Sequence, residues 1–347
     1  MTVRMKDIAT DLNLSKMTIS KVLRGQMDVS AKTKERVLQR MKELNYRPNI
    51  SARSLRTGQT LSIGLIVPSL ADPIYTNMAR SVVKHLRLAN YSVLLSSAEY
   101  EPDLERREIE QQLSRQVDAL ILASVQKSDE LVELTRTIQT PLVHLYAGSA
   151  LFKSNAVDLH EEEIGHLAAS HLVRVGCRRI ANVRGPENGA SDLRYKGFRA
   201  ALLEVGQRVR PEWMTTPDAV PQEDYERGVL AAERFLKGKV QPDGIVCHTD
   251  LIALGVMDRL TDAGRNIPNE IAVIGCGNDP KLCEMRIPLS SVDFSLGEIG
   301  EQTAKLVLKL LASTGPSKVK SVEVSPTLVV RASTSRVDKL SKERGRR

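Results

Sequence analysis

Between Met5 and Leu44 the apolar positions recur at helical spacing. Met5, Ile8, Ala9 and Leu12 stand at i, i+3, i+4 and i+7, which predicts a short amphipathic helix. Asn13 ends it, because asparagine tolerates the left-handed backbone that a tight inter-helix turn demands. Ser15 is the expected N-cap of a second helix, Lys16 to Leu23, closed by Gly25. On that helix Ile19, Val22 and Leu23 share one face. Lys16, Met17, Ser20 and Lys21 share the other, with Thr18 between the two. A third segment, Ser30 to Leu44, is capped by Ser30 and offers Val37, Leu38, Met41 and Leu44 to close a miniature core. Pro48 breaks it, and the stretch that runs on to Gly58 carries Leu55 between Ser54 and Arg56.

From Ser62 onward the period changes, and short β-rich runs alternate with helical ones. Strands are expected at 62–67, 92–95, 119–123, 142–145, 180–183, 244–247 and 271–275. Helices are expected at 74–88, 104–116, 130–138, 161–175, 193–205, 225–236 and 251–263. Such alternation predicts an α/β body of two lobes, each a doubly wound parallel sheet with helices on both faces. Ligands of such sheets bind outside the carboxyl ends of the strands, so the cleft between the lobes is the default pocket.

Composition narrows the class. A chain of 347 residues predicts two or three domains. Aromatics at 3% argue against a stacking platform for single-stranded nucleic acid. Cys177, Cys247, Cys276 and Cys283 form no C-x-x-C pair and suit a reducing compartment, as small buried or half-buried residues. The first residues carry no apolar run behind their charges, and no stretch approaches the ~18 apolar residues of a membrane span, so a soluble, cytoplasmic protein is expected.

Charge is unevenly placed. The total is +8, and residues 1–58 alone hold 13 Lys/Arg against 5 Asp/Glu, a net +8, while 59–347 hold 37 of each. Residues 336–347 add a local +4, from 6 basic and 2 acidic side chains. A basic head on a mildly acidic body points to a polyanion: DNA, RNA or a membrane surface. A solvated basic face without a partner is the alternative.

The second helix favours duplex DNA among these. The major groove admits one helix, and side chains near its N-terminal end reach base edges, while Thr18 suits a phosphate contact. A leucine flanked by basic residues suits minor-groove insertion, and a plain linker with an incidental leucine is the alternative. The strings Lys6-Asp7-Ile8-Ala9, Thr18-Ile19-Ser20-Lys21-Val22-Leu23, Val29-Ser30, Tyr46-Arg47-Pro48-Asn49 and Ala52-Arg53-Ser54-Leu55-Arg56-Thr57-Gly58, in this order, resemble the LacI/GalR family of bacterial transcriptional regulators. Further landmarks are Ile63-Gly64-Leu65-Ile66-Val67-Pro68, Arg194-Tyr195-Lys196-Gly197-Phe198, Asp250 with Ala253-Leu254-Gly255, and Leu328 to Thr334.

That resemblance implies a helix-turn-helix head over 1–47, a hinge over 48–60 and an effector-binding and dimerisation body over 61–335. A basic tail over 336–347 follows. The body would resemble a periplasmic sugar-binding protein, with lobe crossings near 147–158, 290–295 and 319–324; the lack of a signal peptide sets the chain apart from a true periplasmic binder. Lys16, Met17 and Lys21 would contact bases, Leu55 would be the minor-groove lever with Arg56 beside it, and Ser30, Thr33, Tyr46 and Asn49 would position on phosphates. Met17 can offer a base no more than contact with a thymine methyl. Two heads would read a pseudo-palindrome, because one head contacts too few bases. The tail has no leucine heptad, so a dimer is expected and a coiled-coil tetramer is not.

By the same likeness Asp72, Pro73 and Tyr75 would line the cleft from one lobe and Arg194 from the other. Tyr146, Thr249 and Gly277 stand where sugar-binding relatives commonly place an acid, an asparagine and an aspartate; Thr249 and Asp250 complete the expected lining. With those groups absent and Arg194 kept, an anionic effector such as a sugar acid fits better than a neutral sugar. A pocket answering to a protein partner, or a solute-binding or enzymatic protein with no specific DNA binding, are the competing readings. No cofactor or metal is expected: His166 and His171 do not share a helix face, His160-Glu161-Glu162-Glu163-Ile164 lacks a second histidine, and Gly275-Cys276-Gly277 is not a dinucleotide loop.

Overall fold

The computed structural model describes residues 3–23, 28–46, 54, 57–125, 128–146, 154–186, 189–215, 223–313, 315 and 319–336. The chain divides into two compact units, residues 1–60 and 61–347.

In the first unit three helices, α1 (Met5–Asp11), α2 (Lys16–Leu23) and α3 (Ala31–Glu43), enclose a small core of Ile8, Ala9, Ile19, Val22, Val37 and Met41. Local chemistry sets their ends. Asp7 accepts the Arg4 backbone N–H at 2.8 Å, holding the start of α1. Asn13 takes φ 55°, the left-handed turn its side chain tolerates. Ser15 caps α2 by accepting the Thr18 N–H at 3.0 Å, and Ser30 caps α3 by accepting the Thr33 N–H at 3.3 Å. One expected core residue is not in the core. Leu38 is 48% exposed, because α3 turns Val37 and Met41 inward and Leu38 lies a third of a turn away. Gly25 lies outside the described residues.

The second unit is the α/β body. Six parallel strands form one sheet in the order β10-β5-β4-β3-β1-β2: β1 (Ser62–Val67), β2 (Ser92–Ser97), β3 (Ala119–Leu122), β4 (Leu142–Leu145), β5 (Ala156–Leu159) and β10 (Ser321–Val324). The other sheet runs β11-β9-β8-β7-β6, from β6 (Ile180–Val183), β7 (Gly244–Cys247), β8 (Ala272–Cys276), β9 (Ser290–Asp293) and an antiparallel β11 (Thr327–Val329). Helices α4 (Pro73–Leu88), α5 (Pro102–Ser114), α6 (Ser128–Thr137) and α12 (Leu296–Ala312) accompany the first sheet. Helices α7 (Glu161–Arg174), α8 (Gly189–Glu204), α9 (Asp224–Lys237), α10 (Asp250–Asp262) and the short α11 (Pro280–Cys283) accompany the second. The central strands of both sheets are buried along their length, as parallel strands covered on two faces must be.

Strands β5, β9, β10 and β11 and helix α12 have no counterpart among the expected elements. They alter the picture of the lobes. Because β5 pairs with β4, the first passage between lobes follows Leu159 and does not fall within 147–158. The second lies between Asp293 and Leu296, and the third between Val324 and Thr327, later than 319–324, because β10 still belongs to the first sheet. Helix α12 lies on α4 at close range: a Cβ on Gly300 would come within 2.2 Å of Ser81 Oγ, and that hydroxyl donates to Gly297 O at 3.0 Å.

Arg336 belongs to the second lobe and not to a tail. Its guanidinium donates to Pro268 O at 3.1 Å and to Asp243 O. Residues 337–347 lie outside the described set. Cys177, Cys247 and Cys276 are buried, and burial pushes Cys177 and Cys276 up to about 12, so both are thiols at neutral pH. The Cys283 side chain is outside the described set.

Candidate functional site

Two surfaces gather the expected site residues, one in each unit. In the head, packing of Ile19 and Val22 leaves Lys16 and Met17 exposed, with Met17 at 63%. An apolar side chain held in water at the start of a capped helix contributes nothing to the core, so it is free to meet a partner. Lys21, on the same face, is ion-paired with Asp28. Thr18 and Ser15 share a hydroxyl contact of 2.9 Å, and Ser30 and Thr33 share another of 2.9 Å, so each helix start presents two hydroxyls beside free N–H groups. Tyr46 packs half-buried against the head core, and that burial raises its phenol above the usual value. Asn49, Leu55 and Arg56 lie outside the described residues.

In the body, the residues of interest stand just beyond the carboxyl ends of strands: Asp72 after β1, Tyr146 after β4, Glu161 after β5, and His248, Thr249 and Asp250 after β7. Two glycine-mediated helix crossings set the second lobe's share. A Cβ on Gly165 of α7 would lie 1.8 Å from Arg194 O, and one on Gly197 of α8 would lie 1.8 Å from Glu162 O. The pair approaches closely enough for Arg194 Nε to donate to Glu161 at 2.5 Å; Arg194 Nη1 donates to His248 O at 2.8 Å, and its guanidinium covers the Phe294 ring. Helices α9 and α10 cross in the same manner through Gly228 and Gly255. There Thr249 caps α10 by accepting the Ile252 N–H at 3.2 Å and donates its hydroxyl to Asp224 at 2.7 Å. Arg227 stands 3.8 Å from the same Asp224.

The first lobe contributes Asp72, Tyr75, Tyr100 and Tyr146. Asp72 caps α4, accepting the Ile74 N–H at 2.9 Å on one oxygen, while Tyr100 donates to the other at 3.3 Å. Burial raises Asp72 above the usual carboxylate range, and Asp224 adds to the rise. Burial likewise raises Asp224. Tyr146 holds a left-handed φ of 57°, a strained backbone for a tyrosine, which turns its ring against Tyr75 at 6.3 Å and 55°. Its hydroxyl is buried and has no hydrogen-bond partner. His248 is held neutral, well below its usual value, by burial and by Arg194, Arg227 and Arg184.

Sequence reasoning assembled much of this lining and missed part. Asp72, Tyr75, Tyr146, Arg194 and Thr249 converge, but Asp250 is otherwise engaged. Its carboxylate accepts the Asp279 N–H at 2.8 Å and the Ser291 hydroxyl at 2.6 Å, tying the strand ends together. Gly277 is where it is because a Cβ there would come 3.4 Å from that carboxylate at φ 125°. Glu161, Asp224, Arg227 and Tyr100 were not foreseen. An acid at the first turn of α7 and another at α9 were visible, but their neighbours are set by helix crossings. His160, His166 and His171 contact Glu323, Glu204 and Thr334 respectively, three different elements.

Residues 4–49 match the family described as bacterial regulatory proteins, lacI family, and residues 169–334 match the periplasmic binding protein-like domain. The chain is similar to catabolite control protein A of Priestia megaterium, 30% identical over 315 residues that cover 90% of this chain and 93% of that one. The chain belongs to the lacI family. It is also 27% identical, over 336 residues, to the HTH-type transcriptional repressor PurR of Haemophilus influenzae strain PittEE, covering 96% of this chain and 98% of that one. Its fold matches the lac repressor dimer bound to operator and anti-inducer, with TM-score 0.84 at 23% identity, over 96% of this chain and 99% of that one. A second match, a transcriptional regulator CelR–cellobiose complex, has TM-score 0.70 at 25% identity over 95% and 99%. This lacI-family chain is therefore a DNA-binding transcriptional regulator and not an enzyme. Among its described residues no helix is long and apolar enough to cross a membrane.

Proposed function

We propose that this lacI-family regulator acts as a dimeric repressor whose grip on a pseudo-palindromic operator is set by a small molecule held between the lobes. The observation that carries the reading is the outer face of α2, where Lys16, Met17 and Lys21 stand clear of the core at the start of a capped helix. In a major groove, Lys16 and Lys21 donate to guanine acceptors or phosphates, and Met17 rests on a thymine methyl. Thr18, Ser30, Thr33, Tyr46 and Asn49 position the head on phosphates, while Leu55 wedges a minor-groove step with Arg56 beside it. Two copies supply the specificity one head lacks. The solved dimer of the lac repressor on its operator and the cellobiose complex of CelR support the dimer and the ligand cleft.

The test is selection of genomic fragments by purified full-length protein at physiological salt, followed by fluorescence anisotropy on the fragments selected. Selective retention is expected, lost on Lys16→Ala with Met17→Ala and weakened by Leu55→Ala. Each lysine removed lowers the salt slope of log K by about 0.9. Equal retention of random and genomic fragments overturns the reading.

A further inference from the structure

The charges gathered in the cleft do not balance. Arg194 faces Glu161, and Arg227 faces Asp224. The expectation that Arg194 would stand ready for an anion therefore fails: its nearest acceptor is a carboxylate of its own chain at 2.5 Å. Asp250 is held by Ser291 and the Asp279 backbone. Asp72 has no ion-pair partner among the described residues, and Asp224, from the opposite lobe, is near enough to disfavour its charge. Closing the lobes on an empty cleft thus sets two carboxylates against each other, a repulsion that low dielectric amplifies.

Beside this acidic pair stand polar groups with nothing to bind. The Tyr146 hydroxyl is buried and unpartnered, with Tyr75, Glu161, Arg194 and Asp72 around it. Arg227 is buried, and its Nε and Nη1 donate to nothing. Unsatisfied buried polar atoms cost about 1–3 kcal/mol each, and a ligand that satisfies them recovers that cost. Capping α4 does not by itself call for a charge at position 72, because asparagine caps a helix as well as aspartate does.

On the reading that the cleft is the effector site, we propose that it takes a small monocationic, hydroxyl-bearing amine, the chemistry of an amino sugar. The ammonium sits between Asp72 and Asp224, and the ligand's oxygens meet Tyr146 and Arg227. An ammonium brings three donors and one positive charge to the uncompensated carboxylate. A sugar acid would add a second negative charge there, or would have to take Arg194 from Glu161.

The test uses full-length protein and three matched series: glucosamine, galactosamine and mannosamine, the corresponding neutral hexoses, and the corresponding uronic acids. Binding is measured by calorimetry, and retention on the selected DNA is measured in parallel. At least one amine is expected to bind ten-fold more tightly than its neutral counterpart. Asp72→Asn should remove that ten-fold preference while leaving the neutral sugar unchanged, a result that loss of folding cannot mimic. The proposal is overturned if no amine binds, if amine and hexose bind equally, or if Asp72→Asn leaves the preference intact. It is also overturned if a uronic acid binds more tightly than its amine. A uronic acid that binds and alters DNA retention removes the amine yet leaves the effector reading standing. An amine that binds with the expected preference but leaves DNA retention unchanged supports the ligand class and removes the effector reading.

Discussion

The head and the body of this regulator expose function in opposite ways. The head keeps its apolar residues in a core of six side chains and turns a polar, basic helix face outward. Every residue on that face lies within a few positions of the next. The body hides its polar groups at the meeting of two lobes, where Asp72, Tyr146, Glu161, Arg194 and Asp224 come from five separate stretches of chain. The head's chemistry is therefore a matter of helical period, and the body's a matter of which helices are allowed to touch.

Acid should separate the two most strongly. All six histidines lie in the body. Burial lowers His144 and His171 from 6.5 to about 4 and holds His248 well below its usual value. A histidine whose folded value is depressed stabilises the fold fully above 6.5, and that contribution is lost as pH falls through the folded value. His144 and His171 should each withdraw about 3 kcal/mol by pH 4. Asp72 and Asp224 act in the opposite sense: a carboxyl raised above 3.8 favours the fold more as pH falls, and they offset part of the loss. Calorimetry between pH 7 and about 4 should show the body's transition falling well ahead of the head's; parallel decline of both would break the comparison.

Glu161→Ala comes next. It strands the Arg194 guanidinium, whose side chain is only 10% exposed, and should cost the body about 3–5 kcal/mol in urea unfolding. Glu161→Gln, which keeps an acceptor, should cost less. In the head, Ile19→Ala opens a cavity beneath the outward face and should cost about 3 kcal/mol. Because that core is so small, the head's transition and DNA retention should both be lost while the body's melting temperature stays fixed. The smallest effect is expected from Asp28→Ala, which releases Lys21 from its exposed ion pair. DNA binding should tighten about twofold, or about 0.5 kcal/mol, with little change in head stability. Weaker binding would mean that Asp28 holds Lys21 in its productive position.

Much of the head was legible in the sequence because its signals are local. Asn13, Ser15 and Ser30 mark their turns and caps through their own side chains, and only Leu38 was misplaced, since two adjacent leucine-like positions cannot both face one core. The body's central strands were legible as buried apolar runs. Its edges were not: β5, β10 and β11 are short, and β9 reads Ser-Ser-Val-Asp, with buried serines that bond to Arg331 and Ser333 and not apolar side chains. The cleft was half legible. Residue types named the lining, but the pairing of Arg194 with Glu161 depends on Gly165 and Gly197, whose meaning appears only once α7 and α8 cross.

The first lobe is begun by β1 near residue 62 and finished by α12 and β10 beyond residue 295. During synthesis on the ribosome, its sheet waits with an open edge and α4 uncovered until almost the last fifth of the chain has emerged. A message cut short before Leu296 would thus yield a head able to fold attached to a lobe that cannot. Such a product would compete for DNA while being deaf to any effector.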